Sequence, residues 1–205
     1  MTRLAAIVLL AFALAGCGSG SNDNEGAAPT TTSTSPTTTS TSPPSMQTVP
    51  DCMPSPTAST SPQKSSANAN RETMYLESVT TGADECTAKV LFGFEEQAPG
   101  PGFEVSYQPA DTAKIEDASG NPIDIEGEAF LVVKLNPAMT AKIDGDQVTK
   151  TYTGPRRLAG SDPITEVVKT GDFEGVVTWV IGLDSKRSFT TKASDSQLAV
   201  EIDRS

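Results

Sequence analysis

Beyond Glu72 apolar and polar residues alternate with a period of two, and turn residues interrupt the alternation about every ten positions. That period, with one apolar face, is the pattern of a half-buried β-strand. Met74, Leu76 and Val79 predict a first strand, and Val90, Phe92 and Phe94 alternate with Lys89, Leu91 and Gly93 in the next. After the Pro99–Gly102 turn, Phe103, Val105 and Tyr107 alternate with Glu104, Ser106 and Gln108. The denser run Glu128–Leu135 predicts a more central strand, and the β-branched run Gly175–Leu183 a core strand. Leu198, Val200 and Ile202 alternate against Ala199, Glu201 and Asp203 near the C-terminus. Asn121-Pro122 marks a turn, and Asp144-Gly145-Asp146 a hairpin or tight loop. No stretch of ten or more residues carries a 3.6-residue period. Eight or nine short strands in roughly 130 residues predict an all-β fold, a single antiparallel β-sandwich or jelly-roll-like domain.

The N-terminal part follows other rules. Met1–Arg3 is a short basic start, and the apolar run Leu4–Leu14 is too short to cross a bilayer. This is the layout of a secretory signal peptide. Leu14-Ala15-Gly16-Cys17 resembles the lipobox of bacterial lipoproteins, which implies cleavage between Gly16 and Cys17 and diacylation of the Cys17 thiol. Two acyl chains hold a protein stably at a membrane where one does not. The expected organisation is a lipoprotein signal peptide over 1–16, a Thr/Ser/Pro-rich linker over 17–48, a tethered linker over 49–72 and the β-domain over 73–205. Thr30–Ser45 is almost wholly Thr, Ser and Pro, and Pro54–Ser66 continues in that style. Such tracts have too little apolar area to offset chain entropy. About 50 such residues reach at most on the order of 150 Å extended, or roughly 40 Å as a flexible coil. The expected address is the extracytoplasmic face of the cell membrane.

Charge narrows the partners. With 15 Lys and Arg against 26 Asp and Glu, the net charge is −11, which argues against nucleic acid and against anionic lipid as a ligand. The chain has no histidine, so Ser-His and Cys-His nucleophile arrangements are ruled out. With Cys17 lipidated, Cys52 and Cys86 remain as an even pair in an oxidising compartment. A disulfide between them is expected, with two free thiols as the alternative.

Three stretches then stand out together: Pro101-Gly102-Phe103-Glu104-Val105-Ser106-Tyr107, Tyr152-Thr153-Gly154-Pro155-Arg156-Arg157-Leu158, and Gly171–Trp179 running on to Gly182-Leu183. With Val90-x-Phe92-x-Phe94 upstream, they resemble the AMIN-like domain of secreted lipoproteins from high-GC Gram-positive bacteria, over about residues 73–203. The resemblance implies a β-sandwich and an envelope location. By looser kinship with the AMIN domains of cell-wall amidases it implies a targeting module associated with peptidoglycan. Cys86, in the first hairpin, departs from the family pattern.

Asp124, Glu126 and Glu128 fall at i, i+2 and i+4, which on a strand clusters three carboxylates on one face. A solvated strand face or loop is the expectation, and no metal site or cofactor is expected. Glu95-Glu96 and Asp172/Glu174 are the carboxylate pairs that a glycosidase would use, but 26 acids make such pairs commonplace. No catalytic residue is assigned. Arg156 and Arg157 are candidates for gripping a carboxylate on a ligand, against pairing with the domain's own acids. Phe103 and Tyr107, beside the Gly-rich turn, are candidates for lining a groove. Trp179 is expected in the core, and Gly102, Gly154 and Gly175 are expected to meet backbone demands. The function so predicted is non-catalytic binding of an envelope component, either peptidoglycan or another exported protein. The alternatives are a wall-glycan hydrolase or transferase using acidic residues, and a structural subunit of an envelope complex.

Overall fold

Two sheets, antiparallel except where Met74 and Tyr75 pair in parallel with Ala138 and Met139, meet through the apolar faces that the alternation encodes. The computed structural model describes residues 52–53, 55–65, 72–95 and 102–205. The first sheet has six strands in the order β1 (Gln63–Ser65), β4 (Phe103–Gln108), β5 (Ala129–Leu135), β11 (Val176–Leu183), β10 (Ile164–Phe173) and β9 (Arg157–Ala159). The second has five, in the order β12 (Phe189–Ser194), β13 (Gln197–Asp203), β3 (Thr87–Phe94), β2 (Met74–Ala83) and β6 (Ala138–Met139). A separate ribbon pairs β7 (Ala141–Asp144) with β8 (Gln147–Lys150). The one helix among the described residues is the four-residue α1 (Ala110–Ala113). The architecture is the expected all-β sandwich.

The interior between the sheets is filled by alternate side chains of both. Val90 and Phe92 of β3, Leu198 and Val200 of β13, and Leu131, Val133, Trp179 and Ile181 of β5 and β11 are all fully buried there. A second, smaller core lies on the opposite face of the six-stranded sheet, where Phe130, Val132, Val168 and Val180 are covered by Ala113 and Ile125 from the segment 109–128. β5, β10 and β11 are therefore buried on both faces, which is why their sequences read as dense apolar runs.

Thirteen strands occur among the described residues, more than the eight or nine that alternation predicts. The extra ones are two to four residues long, too short for a period of two to register. Two of the three two-residue hairpins turn on positive φ. Gly145 (φ +57°) starts the loop between β7 and β8, and Glu174 (φ +52°) with Gly175 (φ +76°) forms the one between β10 and β11, the pattern of a type I′ turn.

The Pro54–Ser66 tract corrects the composition argument. Part of it folds: β1 pairs with β4 in register, and Ser59 bridges to Phe189 of the other sheet. Apolar burial does not hold it. The Gln63 amide donates to the Phe189 carbonyl at 2.8 Å and accepts the Thr191 N–H at 2.9 Å, while Cys52 and Cys86, with Cα atoms 5.2 Å apart, close the expected disulfide. Asp124, Glu126 and Glu128 lie in the loop before β5, not on a strand. All three are exposed around the buried Ile125, because Ile125 is the residue that the outer core takes from this segment. The expected signal peptide with Gly16 and Cys17, the linker up to Asp51, the Pro99–Pro101 turn and Glu96 lie outside the described residues.

The disulfide enters the β2–β3 hairpin beside Asp84, whose carboxylate accepts the N–H groups of Thr87 at 2.8 Å and Cys86 at 3.1 Å. These bonds, first that from Thr87, hold the Asp84 carboxyl far below the usual value of 3.8. A depressed folded-state value means that the stabilisation is complete above about pH 3.8 and is lost as pH falls toward the folded-state value. Asp84→Asn is expected to melt below the parent at pH 7, with the gap closing as the solution is acidified below that value. Thermal denaturation at pH 7 and pH 2.5 measures it; a gap independent of pH refutes it.

Candidate functional site

The outer face of the six-stranded sheet holds the candidate site. Because β4, β5 and β11 pair without a register shift, alternate residues of each share that face: Glu104 and Ser106, Val132 and Lys134, Thr178 and Val180. To these β10 adds Val168 and, at a register shift between Lys169 and Gly171, Thr170. Lys134 sits directly between Glu104 of β4 and Thr178 of β11. Glu104 is taken by Lys64 at 3.1 Å. Lys134 is exposed and has no ion pair among the described residues.

Two cavities meet at Lys134. One, of about 510 Å³, runs toward β1 and is bordered by Ser65, Phe103, Glu104 and Asn136. The other, of about 130 Å³, lies under the segment 109–128 and is bordered by Gln108, Thr112, Asp117, Thr170 and Thr178 over the apolar Val132 and Val180. Thr170 and Thr178 are 2% and 3% exposed, so hydroxyls are buried in the wall. The Thr178 hydroxyl oxygen has no hydrogen-bond partner among the described residues, and an unpaired buried hydroxyl costs about 1–3 kcal/mol. Thr178→Val, which keeps the shape and removes that oxygen, is accordingly expected to raise stability by about 1–3 kcal/mol. Chemical denaturation checks this, and a lowered midpoint refutes it.

The covering segment is fastened by residues with other expected uses. Arg157 pairs with the buried Glu166, and its Nη2 donates to the Asp124 carbonyl at 2.7 Å. Glu166 Oε1 accepts the Glu126 N–H at 2.6 Å, and Thr165 Oγ1 donates to the Glu126 carbonyl at 2.7 Å. Gly182 lets that loop lie flat, since a Cβ there would collide with the Glu126 carbonyl oxygen. Arg156 donates through Nε to the Lys169 carbonyl at 2.9 Å and through Nη2 to Glu116 Oε1 at 2.6 Å. The Ser119 hydroxyl and then Arg156 hold the Glu116 carboxyl below its ordinary value. Both arginines thus pair with the domain's own acids and clamp the cover.

Of the other candidates, Phe103 is buried at the border of the larger cavity. Tyr107 turns to the interior, where it meets Phe189 edge-on at 5.9 Å and its hydroxyl donates to the Arg187 carbonyl at 2.6 Å. Burial raises its phenol above the ordinary value. The arginines do not join the two aromatics: β9 and β4 are four strand spacings apart, roughly 19 Å. Asp172 accepts from Thr140 and pairs with Lys169 at 3.3 Å, and Glu95 pairs with Lys142 at 2.7 Å. No group of three or more metal-ligating side chains occurs among the described residues. Gly102 meets a backbone demand, because a Cβ would strike the Asn136 carbonyl oxygen.

Sequence reasoning missed Lys134, Thr170, Thr178 and Asp117. Lys134 carried a signal, being the one cation in the apolar run Glu128–Leu135. The threonines carried none, since Thr is an ordinary strand former.

A protein-family model described as the AMIN-like domain matches residues 74–204. No curated protein and no solved structure matches the chain.

Proposed function

The chain belongs to the AMIN-like domain family, and from that membership we propose that it is a lipoprotein of a high-GC Gram-positive envelope. Cys17 anchors it on the extracytoplasmic face of the membrane, and its sandwich binds peptidoglycan without catalysing a reaction. AMIN-like domains are associated with peptidoglycan and envelope binding. The observation that carries the reading is Lys134, exposed and without an ion pair among the described residues, standing where two cavities meet on a hydroxyl- and amide-lined sheet face. With Lys64 taken by Glu104, one uncompensated cation among hydroxyls suits a polymer of sugars and carboxylate-bearing peptides better than it suits a polyanion, which a net charge of −11 repels. The lipobox, the long Thr/Ser/Pro tract and the absence of histidine support the same reading.

The test is sedimentation of the full-length chain, held in detergent, with purified cell wall. The parent is expected to co-sediment and Lys134→Gln to do so several-fold less. Equal sedimentation of the two, or none by the parent, overturns the reading. Mass spectrometry of membrane-extracted protein is expected to find Cys17 as the modified N-terminus, and an unmodified residue 17 removes the anchor.

A further inference from the structure

We propose that the smaller cavity receives one zwitterionic amino-acid group, such as ends a peptide branch on a wall polymer. The inference rests on the peptidoglycan-binding reading and names the group that the site selects.

Size comes first. About 130 Å³ is roughly ten times the room that one water needs, yet well below the ~300–1,000 Å³ of pockets that enclose whole ligands. The cavity takes a residue-sized group, and the adjoining 510 Å³ trough is left for what that group is attached to.

Charge is the second constraint. Thr178 faces Lys134 across the β11–β5 pairing and Gly171 across the β11–β10 pairing. Asp117 places its carboxylate where a Cβ on Gly171 would be, and its backbone N–H donates to the Thr170 carbonyl at 3.1 Å. An anion and a cation therefore border the cavity from opposite sides of Thr178, their strand positions two spacings apart, roughly 9–10 Å. Neither has an ion-pair partner among the described residues, and they do not pair with each other. A group bearing ammonium and carboxylate on neighbouring atoms satisfies both through charge-assisted hydrogen bonds. A polyanion meets Asp117, and a neutral sugar leaves both charges unmatched.

The third constraint is polar satisfaction. The buried Thr178 hydroxyl has no hydrogen-bond partner among the described residues. Its side chain lines the cavity, so its hydroxyl is the donor left for a ligand carboxylate oxygen. Val132, Val180 and Ala113 provide an apolar wall for a methyl-sized side chain.

The full-length chain is titrated by NMR with alanine, N-acetylalanine, alaninamide and N-acetylglucosamine. Alanine is expected to shift the Thr170 and Thr178 amides and to bind at least tenfold more tightly than either blocked analogue. Lys134→Gln is expected to erase the preference over alaninamide, and Asp117→Asn the preference over N-acetylalanine. Thr178→Val is expected to weaken alanine binding while the fold becomes more stable. No shift at saturating alanine, equal affinity for the blocked analogues, or tighter binding of the sugar overturns the proposal. Wall sedimentation separates the two readings. Wall binding that alanine does not compete refutes the pocket and leaves the wall-binding role standing, whereas alanine binding without wall binding does the reverse.

Discussion

Replacing Cys52 and Cys86 together by serine is expected to lower stability by about 3–4 kcal/mol, the chain-entropy value for a bridge whose ends are 34 residues apart. The bridge also holds a strap. Residues 55–65 hydrogen-bond to both sheets, through β1 on β4 and through Ser59 on Phe189 of β12, with Thr57 and Thr190 hydroxyls 3.0 Å apart between them. Few apolar contacts secure this strap, so its attachment depends on remaining near its partners, which the bridge ensures. In the serine variant the strap is therefore expected to exchange its amides faster than β3 or β11, and β4 to become a free edge. Lys64 and Ser65 border the larger cavity, so the proposed wall binding is expected to fall as well. Denaturant titration measures the first effect and amide exchange the second. An unchanged midpoint, or uniform exchange across both sheets, refutes the account.

The strap shows why the sequence was legible in some places and not in others. Strands whose side chains alternate into a core announce themselves: β3 and β13 were readable because Val90, Phe92, Leu198 and Val200 fall on one face. β1 is held by main-chain pairing and a glutamine side chain, and neither leaves a hydrophobic trace in Gln63-Lys64-Ser65. The same holds for the candidate site. Lys134, Thr178 and Asp117 lie far apart along the chain, and only the order β5–β11–β10, with a loop folded over it, brings them to one cavity. Alternation does not specify strand order. The two arginines stand out by their chemistry, but only the place of the loop brings Glu116 to Arg156, and only the β9–β10 pairing brings Glu166 to Arg157.

Trp179→Ala is expected to cost about 3–5 kcal/mol, the range for deleting a large buried aromatic. Trp179 is fully buried at a three-way junction. It meets Phe92 of the other sheet edge-on at 6.1 Å and Tyr152, from the loop before β9, at 5.6 Å. Tyr152 in turn donates from its hydroxyl to the Pro155 carbonyl at 2.7 Å and packs over Gly154, so truncation at 179 loosens the approach to Arg156 as well as the core. Trp179→Phe should behave differently. It keeps most of the apolar volume and the edge-on geometry, and it removes an indole N–H that has no acceptor among the described residues. Relief of that unpaired donor offsets part of the lost packing, and the net cost is expected to stay below about 1.5 kcal/mol. Because the chain has a single tryptophan, its fluorescence reports this site alone. Emission is expected at short wavelength and unaltered by added wall fragments, since a residue sealed between the sheets cannot stack on a sugar. A red-shifted spectrum that wall fragments quench would place the indole at a binding surface and overturn the assignment of Trp179 to the core.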